Sequence, residues 1–167
     1  MLKVDNITIS YKGNPVVKNF SMAIEEGQII SLVGESGSGK TSVIRAILGL
    51  LPIGGEVSEG DITWEGESLL SYSADKWNQA RGTKISMIFQ DSGAMMNPTR
   101  KIESVFTEYI LTHEEISKEE AWQKAKKMLE SMNLPSADNV MKSYPFQLSG
   151  GMRQRVGVAM AMFFKPS

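Results

Sequence analysis

The stretch GESGSGKT, Gly34–Thr41, fits the pattern G-x-x-x-x-G-K-[ST] of a phosphate-binding loop. Just before it, GQIISLVG (residues 27–34) is almost continuously apolar, which predicts a strand buried on both faces of a parallel sheet. A helix is predicted after the loop because apolar residues recur at helical spacing, at Val43, Ile44, Ile47 and Leu48. The order strand, loop, helix is the structural context that such a loop requires.

This loop, called a P-loop, has residue types suited to a nucleoside triphosphate. Its glycines let backbone N–H groups curl around the β-phosphate, and the helix N-terminus adds positive potential. Lys40 is expected to reach the β- and γ-phosphate oxygens and Thr41 to bind Mg²⁺, and a merely flexible glycine turn would need neither. The predicted nucleotide-binding residues here are Gly34, Glu35, Ser36, Gly37, Ser38, Gly39, Lys40, Thr41 and Ser42. Kinases, GTPases and many ATPases share this loop, so the class depends on other motifs.

Strand patterns lie on both sides of the P-loop. LKVDNITISY (2–11) and PVVKNFSMAI (15–24) alternate apolar and polar residues across a short turn, which predicts an antiparallel pair. EGDITWEGESLL (59–70) predicts a further strand with turns, and KISMIFQ (84–90) predicts an apolar strand that ends at Gln90. These elements indicate an α/β fold with a mixed sheet core and antiparallel N-terminal strands.

The pattern becomes helical over residues 91–144. Ser117 and Glu120 have the spacing of a capping box, and one apolar face follows them at Ala121, Trp122, Ala125, Met128, Leu129 and Met132. A helical lobe inserted into one domain is therefore expected. The predicted parts are a core with the P-loop (1–90), the lobe (91–147), and a last motif with its helix (148–167).

Composition narrows the class of protein. The 167 residues include 18 basic and 19 acidic side chains, so no basic surface for nucleic acid is indicated. There is no cysteine, which excludes disulfides, thiolate metal sites and cysteine nucleophiles within the sequence. The longest apolar runs, such as residues 156–164, are too short to cross a bilayer. A membrane role would have to come through a partner.

A second motif decides the class. LSGGMRQR (148–155) resembles the signature sequence of ABC ATPases, with Met152 where many members have glutamine. MIFQDSGAMMNPTR (87–100) and YPFQLSGGMRQRV (144–156) are most similar to ATP-binding subunits of dipeptide, oligopeptide and nickel importers. The resemblance covers essentially the whole chain and implies a P-loop NTPase fold of the ABC ATPase type.

The resemblance also implies a dimer. In this family two subunits face head to tail, and Ser149, Gly150 and Gly151 would cap the γ-phosphate of ATP held on the partner's P-loop. A hydroxyl and free N–H groups at a helix N-terminus form an anion site, which suits that role. The alternative is an ordinary serine N-cap followed by glycines for a tight turn.

Two more residues match the family in the expected order. Gln90 matches the Q-loop glutamine, which implies contacts with Mg²⁺ and the attacking water, and Tyr11 matches the aromatic residue that stacks on adenine. The alternatives are a loop glutamine and a surface tyrosine on an edge strand. The resemblance thus gives Lys40 and Gln90 catalytic roles and makes Thr41 and Gln90 the metal ligands.

Other candidates stay open. Met95 and Met96 lie either near the contact with the membrane subunit or in the core of the lobe. Arg153 and Arg155 could face a phosphate or a partner chain, or be solvated surface residues. His113, the only histidine, precedes the signature, whereas the family's switch histidine follows it, so it is given no role.

The resemblance implies an importer subunit that uses ATP and Mg²⁺. Its expected partners are a second ABC ATP-binding subunit, permease subunits and, indirectly, a solute-binding protein, at the cytoplasmic side of the membrane. In the family, a Walker B strand, a catalytic glutamate and a switch histidine follow the signature helix, and no counterparts are seen in these residues. We therefore expect these residues alone to lack C-terminal core strands, to be marginally stable or to associate, and to bind ATP but hydrolyse it poorly.

Two other functions are compatible with the motifs. One is a non-transport ABC-type ATPase of DNA repair or chromosome architecture, and the other is a nucleotide-binding regulatory module without turnover. The short lobe between Thr41 and Leu148 and the near-neutral charge favour transport over the first of these. The transported solute stays open among peptides, nickel, metal chelates and other small molecules.

Overall fold

The computed structural model describes residues 1–89 and 96–166. The chain divides into two compact units, Met1–Asn78 and Gln79–Ser167. The first unit contains an antiparallel sheet and the P-loop with its helix, and the second is mainly helical.

Four antiparallel strands form the sheet of the first unit, in the order β2-β1-β3-β4. Their bounds are Leu2–Tyr11 (β1), Asn14–Ile24 (β2), Gly55–Trp64 (β3) and Glu67–Ser68 (β4). The pairing of β1 with β2 shifts register between Val4 and Ile7, and Val4, Ile7, Ile9 and Ile62 are at most 1% exposed. The predicted N-terminal pair and the further strand with turns are confirmed.

The helix after the P-loop is also confirmed. Helix α1 spans Lys40–Ile47 and buries Val43, Ala46 and Ile47, whereas Ile44 is 38% exposed. The chain then turns at Gly49, which has a φ of 61°, against the ring of Trp77 on helix α2 (Ala74–Ala80). The helix that carries Lys40 is therefore held by packing along one side and at its end.

Two predicted strands are not formed. Residues 28–35 have no regular secondary structure, and Ile29 and Val33 are 97% and 88% exposed. Residues 86–89 are likewise irregular, and the parallel pairing found in the described ranges is one isolated bridge between Arg81 and Ile85. An apolar run becomes a buried strand only when other strands flank it, and no described strand lies beside either run. These two predictions were wrong for that reason.

Helices pack around one core in the second unit. After the last residues of α2, they span Ile102–Leu111 (α3), Lys118–Ser131 (α4), Ala137–Lys142 (α5) and Gly150–Met162 (α6). Fully buried side chains include Phe106, Ile110, Ala121, Ala125, Leu129, Met141 and Val156. The predicted apolar face of α4 is confirmed, with its alanines and leucine in the core and Trp122, Met128 and Met132 packed against it.

The predicted capping box starts α4. The backbone N–H of Glu120 donates to Ser117 Oγ at 3.2 Å, and the backbone N–H of Ser117 donates to Glu120 Oε2 at 2.9 Å. Among the described residues, none of the helices combines the length and the apolar character needed to cross a membrane.

Candidate nucleotide-binding site

The P-loop enters α1 through two glycines with left-handed backbones. Gly37 has a φ of 85° and Gly39 a φ of 88°, a region that favours glycine. Gly39 is the N-cap of α1, and a Cβ added to it would lie 2.5 Å from Val17 Cγ2 on β2. This glycine is required both by the turn and by the close approach of the sheet.

Lys40 points its ammonium group back into the loop. Its Nζ donates to the carbonyl oxygens of Gly34 at 2.7 Å and Glu35 at 2.5 Å, and to Ser38 Oγ at 3.2 Å. These oxygens are neutral acceptors, so phosphate oxygens that carry negative charge would bind the ammonium more strongly. The positive charge thus lies where the sequence pattern requires it.

The surroundings of the loop suit a polyphosphate. Residues 34–38 are exposed, and a Cβ at Gly34 would lie 2.8 Å from Ser38 Oγ and 3.9 Å from Lys40 Nζ, so a side chain there would fill the concave side. The first turn of α1 has no acidic residue to neutralise the positive helix end. Thr41, exposed in that turn, has the hydroxyl expected of a Mg²⁺ ligand in such a loop.

Tyr11 lies beside the P-loop helix in the same unit. Its hydroxyl and that of Ser42 are 3.1 Å apart and hydrogen-bonded, and both side chains are half-buried. The structure therefore brings the predicted adenine-stacking residue together with the predicted phosphate-binding residues. No sequence pattern predicted the bond between Tyr11 and Ser42, because residues 31 positions apart carry no local signal of contact.

The signature motif begins α6 in the second unit. Ser149 is the N-cap, and its Oγ accepts a hydrogen bond of 3.3 Å from the backbone N–H of Met152. Leu148, 5% exposed, anchors the motif in the core. A Cβ added to Gly150 or Gly151 would meet none of the described atoms within 4 Å, and neither residue has a left-handed backbone. The packing described here therefore gives no reason for two glycines at the exposed end of this helix.

Both arginines of the motif bind backbone oxygens of their own unit. Arg153 Nη1 donates to Leu148 O at 2.7 Å, and Arg155 Nη1 donates to Asn133 O at 3.0 Å. Each arginine therefore has a hydrogen-bond acceptor within the second unit.

The remaining candidates fall in different places. Met96 is 9% exposed and belongs to the core of the second unit, which supports the lobe-core alternative. The ring of His113 packs against Tyr109 and Phe164, and its burial lowers the pKa of the imidazole. The predictions for Gln90 and Met95 lie outside the described residues.

Comparison with known proteins decides the family. The model of the ABC transporter family matches residues 17–167. This chain belongs to the ABC transporter family. The resemblance and fold class predicted from the P-loop and the signature are confirmed, while the roles of individual site residues stay predictions.

ABC proteins of two bacteria are among its relatives. The probable D,D-dipeptide transport ATP-binding protein DdpD of Escherichia coli K12 is 41% identical over 171 residues, covering 99% of this chain and 52% of the relative. The oligopeptide transport ATP-binding protein OppD of Bacillus subtilis 168 is 38% identical, covering 99% and 48%. The chain thus spans about half the length of the curated ABC relatives it matches.

A solved ABC cassette has the same fold. The dimeric ATP-binding cassette MJ0796, described in a post-hydrolysis state with ADP and Pi, has a TM-score of 0.82 at 28% identity. The similarity covers 99% of this chain and 71% of the cassette.

Proposed function

We propose that this protein is the ATP-binding subunit of an ABC importer and couples ATP binding and hydrolysis to the uptake of peptides, nickel or a related small solute. The position of the Lys40 ammonium inside a glycine loop at the start of α1 carries the proposal. The peptide-transport names of the relatives support the choice of an importer.

The reaction would use the P-loop together with Tyr11 and Gln90. Lys40 exchanges its bonds to loop oxygens for bonds to the β- and γ-phosphates, and the N–H groups of the loop hold the β-phosphate. Thr41 and Gln90 would hold Mg²⁺, which would supply positive charge to the bound phosphates. Gln90 would orient water for in-line attack on the γ-phosphate, and Tyr11 would stack on adenine.

A second subunit completes the site. Ser149, Gly150 and Gly151 present a hydroxyl and N–H groups at the open end of α6, and these would bind the γ-phosphate of ATP on the partner's P-loop. The open space around both glycines supports this role, because it leaves room for a ligand held by another chain. The further proposed partners are permease subunits, which hold the protein at the cytoplasmic side of the membrane, and a solute-binding protein.

The 167 residues by themselves are proposed to bind ATP and to hydrolyse it slowly. No aspartate or glutamate follows the signature motif in this sequence, so a carboxylate to orient or deprotonate the water is lacking there. ATPase assays of this segment should show little turnover. Steady turnover that Lys40→Ala abolishes would contradict this part of the proposal.

Uptake in cells tests the function. Cells whose chromosomal copy carries Lys40→Ala should lose uptake of labelled peptide or of nickel, because the phosphate contacts of the lysine are gone. Lys18→Ala removes an exposed lysine from β2 of the same unit and serves as the matched control. Unchanged uptake of every solute tested in the Lys40→Ala cells would contradict the importer proposal.

A further inference from the structure

Tyr11 is held at two points of the first unit. It is the last residue of β1, and its hydroxyl is hydrogen-bonded to Ser42 Oγ at 3.1 Å. Across the sheet it pairs with Gly55, the first residue of β3, and its ring lies against that glycine. The tyrosine ring is therefore fixed both by the sheet and by the first turns of the P-loop helix.

The Tyr11 ring is the closest of the groups that leave no room for a side chain at Gly55. The backbone of Gly55 is outside the left-handed region, unlike that of Gly54, whose φ is 83°, so the turn itself does not require glycine at position 55. A Cβ at Gly55 would lie 2.6 Å from Cε1 and 3.0 Å from Cδ1 of Tyr11, distances at which the ring has to move, and 3.1 Å from the carbonyl oxygen of Pro52. Glycine at position 55 thus leaves room for the Tyr11 ring to pack against the backbone of β3.

The bond to Ser42 links the packed Tyr11 ring to the P-loop helix. Ser42 comes two residues after Lys40 in α1, so the hydroxyl bond fixes the distance between the aromatic ring and the lysine that meets the phosphates. A glycine beneath an aromatic ring across two strands also stabilises a sheet. The bond to Ser42 adds nothing to the pairing of the strands, since it leads out of the sheet to the helix.

We propose that Ser42 and Gly55 are positioning residues that hold Tyr11 ready to stack on the base of the bound nucleotide. This inference rests on the proposed function, in which Tyr11 meets adenine. A ring that is already fixed loses less conformational freedom on binding, so the base is bound more tightly than by a mobile tyrosine. The bond between the Tyr11 and Ser42 hydroxyls then adds to affinity only when the nucleotide carries its base.

Binding of ATP and of tripolyphosphate by the full-length protein separates the two roles of Ser42. Tyr11→Phe keeps the ring and loses the bond, and Ser42→Ala removes the other partner. Tyr11→Phe should bind ATP about two- to tenfold more weakly, the effect of one ordinary hydrogen bond, and should bind tripolyphosphate like the wild type. Ser42→Ala should lose at least as much affinity for ATP, because Ser42 is also a predicted phosphate-binding residue of the P-loop. The double variant should be no weaker than the weaker single variant, because both changes remove the same bond.

Gly55→Ala tests the packing of the Tyr11 ring while the hydroxyls of Tyr11 and Ser42 are both kept. Its Cβ should displace the ring and weaken ATP binding without weakening tripolyphosphate binding. Ser58→Ala is the matched control, because it removes a serine hydrogen bond to Ser10 in the same sheet and should leave the ratio of the two affinities unchanged. If Gly55→Ala does not fold, as judged by its thermal melt, Tyr11→Phe and Ser42→Ala still test the inference.

Two results would overturn the inference while the proposed function stands. One is ATP binding by Tyr11→Phe and Ser42→Ala that equals the wild type. The other is a loss of ATP binding on Tyr11→Phe that is as large in the Ser42→Ala background as in the wild type, which would show that the two hydroxyls act independently. Failure of the wild-type protein to bind ATP at all would overturn both the proposed function and the inference.

Discussion

Gly39 shows how one residue meets two requirements at once. The sequence pattern explains it by the approach of phosphate to the backbone, and the structure adds the approach of β2, since Val17 Cγ2 lies 2.5 Å from where a Cβ would be. Gly37, with a similar φ of 85°, has no described atom within 4 Å of that position. The two glycines therefore differ in packing and share a backbone requirement.

Gly39→Ala should lower the free energy of unfolding more than Gly37→Ala does. Both variants place alanine in the left-handed region, which costs about 1–2 kcal/mol, and Gly39→Ala also clashes with Val17. Adding Val17→Ala to Gly39→Ala should relieve the clash. The cost of placing alanine in the left-handed region should remain. Urea unfolding of the three variants measures these differences, and equal losses for the two glycine variants would contradict the packing argument.

Helix α4 is an element whose start is fixed by a few neighbouring residues. Ser117→Ala should lower the free energy of unfolding by about 1 kcal/mol, because one N–H of the first turn loses its acceptor. Ser131→Ala, at the other end of the helix, provides the control, because within the described residues its hydroxyl bonds to Met128 in the same turn. Equal urea midpoints for Ser117→Ala and the wild type would show that the cap contributes nothing.

At the start of helix α6, one substitution is expected to affect stability and ATP hydrolysis differently. Gly151 lies in the first turn of the helix with open space around it, so Gly151→Ala should leave stability unchanged or raise it by up to about 1 kcal/mol. In the proposed transporter complex the same change should reduce ATP hydrolysis, because its methyl group would lie at the end of α6 that is proposed to bind the partner's phosphate. The pair of measurements is a thermal melt and an ATPase assay. A stabilised variant with full ATPase activity would contradict the role proposed for this end of α6.

Across the whole molecule, sequence patterns predicted the features that are formed by residues close together in the sequence. The helix after the P-loop, the capping box of Ser117 and Glu120 and strand β1 each depend on residues close in sequence, and all three formed as predicted. The apolar run at residues 28–35 depends on flanking strands, so its composition predicted burial while Ile29 is 97% exposed. The bond from Tyr11 to Ser42 depends on how two distant segments pack, which no local pattern encodes.

The central claim is that residues 34–41 are the ATP-binding loop of this ABC protein, and calorimetric titration of the purified full-length protein with Mg-ATP tests it most directly. The wild type and Lys18→Ala should bind ATP with the same affinity. Lys40→Ala should bind about 10- to 100-fold more weakly, since it loses hydrogen bonds to charged phosphate oxygens. Absence of binding by the wild type, or equal binding by Lys40→Ala, would contradict the account.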